Sequence, residues 1–212
     1  MCALLSAALL ILVILLLEPQ QASAIGGVLP ALDQPAPTFV LPGVAPAAAP
    51  PSGGEAGSRS GLALQSSSIK EVTLSLDDFQ GQWLVLYFYP RDFTSGCTLE
   101  ARGFQRDLEQ FSRLGASVVG ISADDSSEHA SFCGSEGLHF PLLSDPDGSV
   151  SRRYGSWIAP FSQRHTFLID PKGFVRARWS AVRPTGHSRE VLAELEHLQQ
   201  GAATGAIGGS SA

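Results

Sequence analysis

One stretch of this chain limits its fold more than any other: the apolar run Trp83-Leu84-Val85-Leu86-Tyr87-Phe88-Tyr89, closed by Pro90. A near-continuous apolar run of this length reads as a central strand buried on both faces. Proline cannot donate to a central ladder, so the strand stops there. The polar loop Arg91-Asp92-Phe93-Thr94-Ser95-Gly96 follows and leads to Cys97. From Cys97 the pattern is helical over residues 97–114, with Phe104, Leu108 and Phe111 on one face and Gly115 as the stop. The unit is strand, tight loop, helix, with a cysteine in the helix's first turn. Free N–H groups and the positive end of the macrodipole lie there, a setting that favours the reactive thiolate.

The rest of the domain alternates in the same way. Residues 71–76 alternate polar and apolar side chains, as an outer strand does. Residues 117–122 form another buried strand. Ser126 is expected to cap a helix that ends near Glu136-Gly137. Leu142-Leu143 is a short strand before the turn Asp145-Pro146-Asp147-Gly148. Residues 165–170 and 174–179 flank a hairpin turn at Pro171-Lys172-Gly173. Ser188 is expected to cap a last helix reaching Gln200. Strands alternating with helices and closed by a hairpin predict an α/β sandwich around a mixed sheet.

The 212 residues suit one domain with additions. Residues 1–24 read as a signal peptide: an apolar run over 3–17, then Ala22-Ser23-Ala24 as a small-residue cleavage site. No Lys or Arg precedes that run, so an uncleaved membrane anchor is the alternative. Residues 25–68 contain an extended segment over 32–42, which belongs to the domain, and an Ala/Pro/Gly/Ser-rich insert from 43 to 68, expected to be flexible. The packed domain is expected over 69–200 and a disordered tail over 201–212. Net charge is −6 without a basic run, which argues against a nucleic-acid partner. Cys2, Cys97 and Cys133 are the cysteines, and no Cys/His spacing suits zinc, so neither metal nor cofactor is expected. Export would place Cys97 and Cys133 in a periplasm, a thylakoid lumen or a similar compartment where disulfides persist.

The chain resembles the peroxiredoxins of the bacterioferritin-comigratory, PrxQ-like subclass. Pro90, Thr94 and Cys97 fit the P-x-x-x-T-x-x-C loop of that family. Tyr87-Phe88-Tyr89-Pro90, Gly96-Cys97-Thr98 with Glu100-Ala101, Phe140-Pro141-Leu142-Leu143-Ser144-Asp145 and Arg164-His165-Thr166-Phe167-Leu168-Ile169-Asp170 follow the subclass. The resemblance implies a thioredoxin-like fold and a thiol-dependent peroxidase acting on hydrogen peroxide and organic hydroperoxides. It makes Cys97 the peroxidatic nucleophile, Thr94 a holder of thiolate and peroxide, Arg164 the stabilising cation and Pro90 a shield that fixes the loop. Thioredoxin or a similar thiol is the implied reductant and a monomer the implied state, with a membrane involved only if residues 1–24 stay attached.

Where many relatives have a second cysteine soon after the first, this chain has Arg102. Cys133 is then the candidate resolving cysteine, with an external thiol as the alternative. Glu100 reads as a first-turn helix stabiliser or as an orienter of an arginine. Tyr87, Phe88 and Phe93 are expected to wall the cysteine pocket. His129, His139, His165, His187 and His197 receive no role, and Trp83, Trp157 and Trp179 read as core or cover. A disulfide oxidoreductase would need C-x-x-C, but Thr98, Leu99 and Glu100 follow Cys97. A peroxide sensor or holdase on the same scaffold begins from the same sulfenic acid and stays open.

Overall fold

The computed structural model describes residues 23–24, 26–47 and 69–207. Residues 1–22, 25, 48–68 and 208–212, on which most of the expected signal peptide, insert and tail fall, lie outside the described residues. Seven strands form the main sheet: β1 Val40–Pro46, β2 Ile69–Ser75, β3 Trp83–Phe88, β4 Ala116–Ser122, β5 Leu142–Ser144, β6 His165–Ile169 and β7 Val175–Trp179. The helices are α1 Ser95–Arg113, α2 Ser126–Glu136, α3 Ser149–Arg153 and α4 His187–Ile207. Strand order is β7-β6-β3-β4-β5-β1-β2. The β3–β4 and β4–β5 pairs are parallel and the others antiparallel, so the sheet is mixed, as the alternation predicts.

Side chains alternate across a strand, and the central strands therefore feed two cores. Val85, Tyr87, Val118 and Leu142 join Phe104, Phe111, Phe132, Val191 and Leu195 beneath α1, α2 and α4. Leu84, Leu86, Phe88, Val119 and Ile121 join Phe39, Val150, Tyr154 and Phe167 on the opposite face. Covered on both sides, β3 is buried from Leu84 onward, which accounts for its continuous apolar sequence.

Residues preceding β1 run along the far side of the hairpin. Asp33 N–H donates to Val175 O at 2.8 Å, Val175 N–H to Gln34 O at 2.9 Å and Ala36 N–H to Gly173 O at 2.8 Å. Tyr154 Oη then donates to Pro37 O at 2.7 Å, and Phe39 is buried where the chain crosses the sheet.

Several boundaries differ from expectation, each for a local reason. The insert was expected from Gly43, but β1 continues to Pro46. A Cβ on Gly43 would lie 2.2 Å from the Leu142 carbonyl oxygen, and Val44 is buried, so the small residues here serve close strand packing. The tail was expected to be disordered from 201, but α4 runs to Ile207; alanine-rich sequence propagates a helix readily. Asp125, not Ser126, caps α2, its carboxylate accepting from Ser127 and Glu128 N–H. The last helix starts at His187, one residue before the expected Ser188 cap. α3 is too short to show periodicity in sequence; the buried Asp145 carboxylate holds it by accepting from Val150 and Ser151 N–H.

Candidate active site

β3 ends beneath the α1 N-terminus, and the turn between them places Cys97 third in the helix. Phe93 takes a left-handed φ of 58°, which turns the chain sharply into α1. Thr94 occupies the N-cap position, but its side chain makes no capping bond. Its hydroxyl instead donates to the Arg91 carbonyl at 3.0 Å. The first-turn N–H groups are thus left without a side-chain cap beside the cysteine, an arrangement suited to an oxygen ligand. Thr94 keeps its acceptor lone pairs, and Pro90 is half-buried at the exit from the strand.

Arg164, just ahead of β6, reaches this turn from the neighbouring strand. Its Nη2 lies 3.3 Å from Cys97 Sγ. Its Nη1 donates to Glu100 Oε2, one helical turn beyond the cysteine. Glu100 is buried, and burial pushes its carboxyl up to about 7 while Arg164 acts in the opposite direction. Burial also opposes the Arg164 cation, but Glu100 and Cys97 outweigh it and hold the guanidinium above its usual value. Of the two readings of Glu100, orientation of the arginine fits this geometry. A Cβ on Gly96 would stand 3.1 Å from Arg164 Nη2, so glycine leaves the cation room beside the thiol.

Cys97 and Cys133 are both free, both buried and in one apolar cluster. Burial, with a smaller contribution from Asp92, pushes the Cys133 thiol up to about 12. Arg102 leaves α1 and pairs with Glu136 on α2 at 2.5 Å. Tyr87 lies in the cysteine core, its buried hydroxyl without a hydrogen-bond partner among the described residues. Phe88 does not wall the pocket: alternation along β3 turns it to the opposite face, against Tyr154 and Phe167. Phe93 is 55% exposed, with its ring edge-on to Phe132 at 5.2 Å.

The structure also gathers groups that sequence reasoning missed. Asp92, in the turn, is 4% exposed and His129, on α2, is fully buried. Tyr89 Oη donates to Asp92 Oδ1 at 2.7 Å, and His129 Nδ1 lies 2.7 Å from Asp92 Oδ2. Asp92 N–H donates to Asp124 Oδ2 at 2.8 Å, and Ser122 Oγ to the same oxygen at 2.6 Å. Ligand atoms of Asp92, Asp124 and His129 lie within 4.8 Å of one another, but the carboxylates already take protein donors. The linked residues are 32 and 37 positions apart, so no motif spacing announces them. His165 and His187 are also buried; burial holds His165 down to about 4 and His187 below its usual value.

The AhpC/TSA family matches residues 33–178. Peroxiredoxin Bcp of Xanthomonas campestris pv. campestris is 40% identical over 130 residues, 57% of this chain and 81% of that protein. The bacterioferritin comigratory protein of Xanthomonas campestris, solved in a study of its alkyl peroxide reduction activity, is 35% identical with a TM-score of 0.57, covering 59% of this chain and 85% of that one. A cysteine-to-serine mutant of PrxQ from Xylella fastidiosa is 30% identical with a TM-score of 0.60, covering 84% and 98%.

Proposed function

This chain belongs to the AhpC/TSA family, in its peroxiredoxin Bcp and Q branch, and is a thiol-dependent peroxidase; we propose that Cys97 is its peroxidatic nucleophile. The observation that carries the assignment is the Arg164 guanidinium 3.3 Å from a cysteine sulfur in the first turn of α1. Thiolate attack on one peroxide oxygen forms the S–O bond and breaks the O–O bond. The other oxygen leaves as hydroxide or alkoxide, and Cys97 becomes a sulfenic acid. Arg164 offers a fixed cation to the thiolate and to the charge that develops as the O–O bond stretches. Glu100 keeps the guanidinium turned toward the sulfur. Thr94 accepts a hydrogen bond from the peroxide O–H through its lone pairs, and first-turn N–H groups donate to the attacked oxygen. Pro90 limits water access and does no bond chemistry.

Cys133 is assigned the resolving step, closing a Cys97–Cys133 disulfide that thioredoxin or a similar thiol then reduces. Bond formation needs the two Cα atoms within ~7 Å, and the Cys133 thiol is enclosed and protonated at rest. A thiol this enclosed must be uncovered before it can attack, so local opening is part of the proposed cycle. The protein is assigned to an exported compartment on the apolar run over 3–17 and Ala22-Ser23-Ala24. Cleavage after Ala24 removes the small Ser23–Ala24 strand but spares Gly26, whose carbonyl accepts from Trp157 N–H at 3.3 Å. Among the described residues no helix is long and apolar enough to cross a membrane.

The test is peptide mapping after one equivalent of hydrogen peroxide, with Cys97→Ser as the control. The expected result is loss of turnover in Cys97→Ser and, in the wild type, a loss of two hydrogens mapped to Cys97 and Cys133. Retained peroxidase activity without Cys97 would overturn the nucleophile. Oxygen gained on Cys97 alone would make an external thiol the resolver.

A further inference from the structure

The assignment of Cys133 as resolver, on which this inference rests, makes two segments open together: the turn before Cys97 and helix α2. The buried cluster of Asp92, His129, Tyr89 and Asp124 joins those two segments. Asp92 belongs to the turn, five residues before Cys97, and His129 lies on α2, four residues before Cys133. Their 2.7 Å contact is a hydrogen bond between fully enclosed polar groups, where no water competes. Tyr89 and Asp124 fix Asp92 from the strand side. The Phe93–Phe132 ring contact lies beside it and spans the same two segments.

We propose that Asp92 and His129 are positioning residues forming a latch, which keeps α2 folded against the active-site turn during peroxide attack and must part before Cys133 can reach Cys97. In the latched state the peroxidatic site is assembled and the resolver held back. In the unlatched state α2 is free to deliver Cys133. The Cys133 thiol then loses its proton to water and its sulfur attacks the Cys97 sulfenic sulfur. One S–S bond forms, the S–O bond breaks, and the hydroxide released takes up a proton, so one water leaves. The latch thus sets how long the sulfenic acid persists, and with it exposure to a second peroxide that would carry Cys97 on to sulfinic acid. Among the described residues the His129 Nε2 atom has no partner, so Nδ1 is the ring nitrogen committed to a contact in this cluster.

His129→Leu removes the contact, and Tyr89→Phe deletes a single hydroxyl from the same cluster and weakens it more gently. Disulfide formation is followed by rapid quench and mass analysis after one equivalent of hydrogen peroxide. Disulfide stability is read in glutathione redox buffers, and sulfinic acid by mass after excess peroxide. In His129→Leu the disulfide is expected to form about tenfold faster, to be about tenfold harder to reduce at equilibrium and to be accompanied by less sulfinic acid, on the scale of one buried hydrogen bond. Tyr89→Phe should move all three readouts in the same direction by less. In a Cys133→Ser background the His129→Leu reaction with peroxide should be no faster than in its parent, so that its faster disulfide formation reports the resolving step. A wild-type disulfide with unchanged or slower formation in both variants overturns the latch alone. If the wild type forms no Cys97–Cys133 disulfide, the resolving role falls and the latch with it. Should His129→Leu fail to fold, Tyr89→Phe decides by the same three readouts.

Discussion

At the scale of single residues, the arginine–carboxylate contact beside the thiol governs how the site responds to pH. Glu100 is buried with its carboxyl pushed up to about 7, so its charge changes where the enzyme works. Above that pH the carboxylate holds Arg164 in place; below it the neutral acid holds it less strongly. Glu100→Gln should slow the reaction of Cys97 with peroxide about tenfold, the equivalent of one hydrogen bond to a charged group. The inflection near pH 7 in the rate profile should vanish with it. Stopped-flow kinetics across pH tests both; a variant retaining that inflection would assign it elsewhere. The place of Cys97 at a helix start was legible from the residues themselves, whereas Thr94 and Arg164 were singled out by the resemblance to the family's loop and arginine segment. Glu100 was half legible, since a carboxylate in a first turn is ordinary and only burial distinguishes an arginine partner from a dipole stabiliser. Asp92 and His129 were not legible. Their bond exists only because β4 and α2 return across the end of β3, and each residue alone looks like a loop acid and a helix histidine.

At the scale of elements, α2 is held by its ends more than by its sequence. Asp125 satisfies two first-turn N–H groups, and Gly137 closes the other end in a left-handed conformation with φ 61°. Its apolar anchor is Phe132. Asp125→Ala should cost ~1 kcal/mol of stability, measured by denaturant unfolding, while leaving the sheet intact. An unchanged midpoint would mean that Ser126 takes over the cap, the reading the sequence alone favoured. The strands and longer helices were readable because period-two and helical patterns are strong over such lengths. The cap, α3 and the end of β1 escaped because they depend on Asp145 bonds, Asp125 bonds and the close approach of Gly43 to Leu142, none of which is periodic.

At the scale of the whole molecule, two buried groups oppose each other in the pH dependence of folding. Glu100 rises from an ordinary 4.5 to about 7, so the folded state holds its proton more tightly and stability falls as pH climbs through that range. His165 drops from 6.5 to about 4, so the unfolded state holds its proton more tightly and stability grows between those values. Each contributes roughly 3 kcal/mol over its range, and the two nearly cancel where they overlap. His187, also held below its usual value, adds to the His165 trend, so the wild type should show a shallower rise of stability between about pH 4.5 and 6.5 than a variant without Glu100. Glu100→Gln should be stabilised by rising pH over that interval, and His165→Gln destabilised. Denaturant midpoints at a series of pH values would reveal it, and parallel profiles for all three proteins would refute it. The stretch of chain ahead of β1 has a consequence for self-association. An open sheet has two unpaired margins, and each is a template for another copy of the chain. Here residues 33–36 occupy the start of the β7 margin, and Arg178 further along it is engaged by the Pro30 carbonyl. The opposite margin, on β2, carries Lys70 and Glu71, charges that disfavour stacking of one molecule on the next. A single strip of chain crossing the sheet thus makes its two margins unlike, the start of one covered and the other charged.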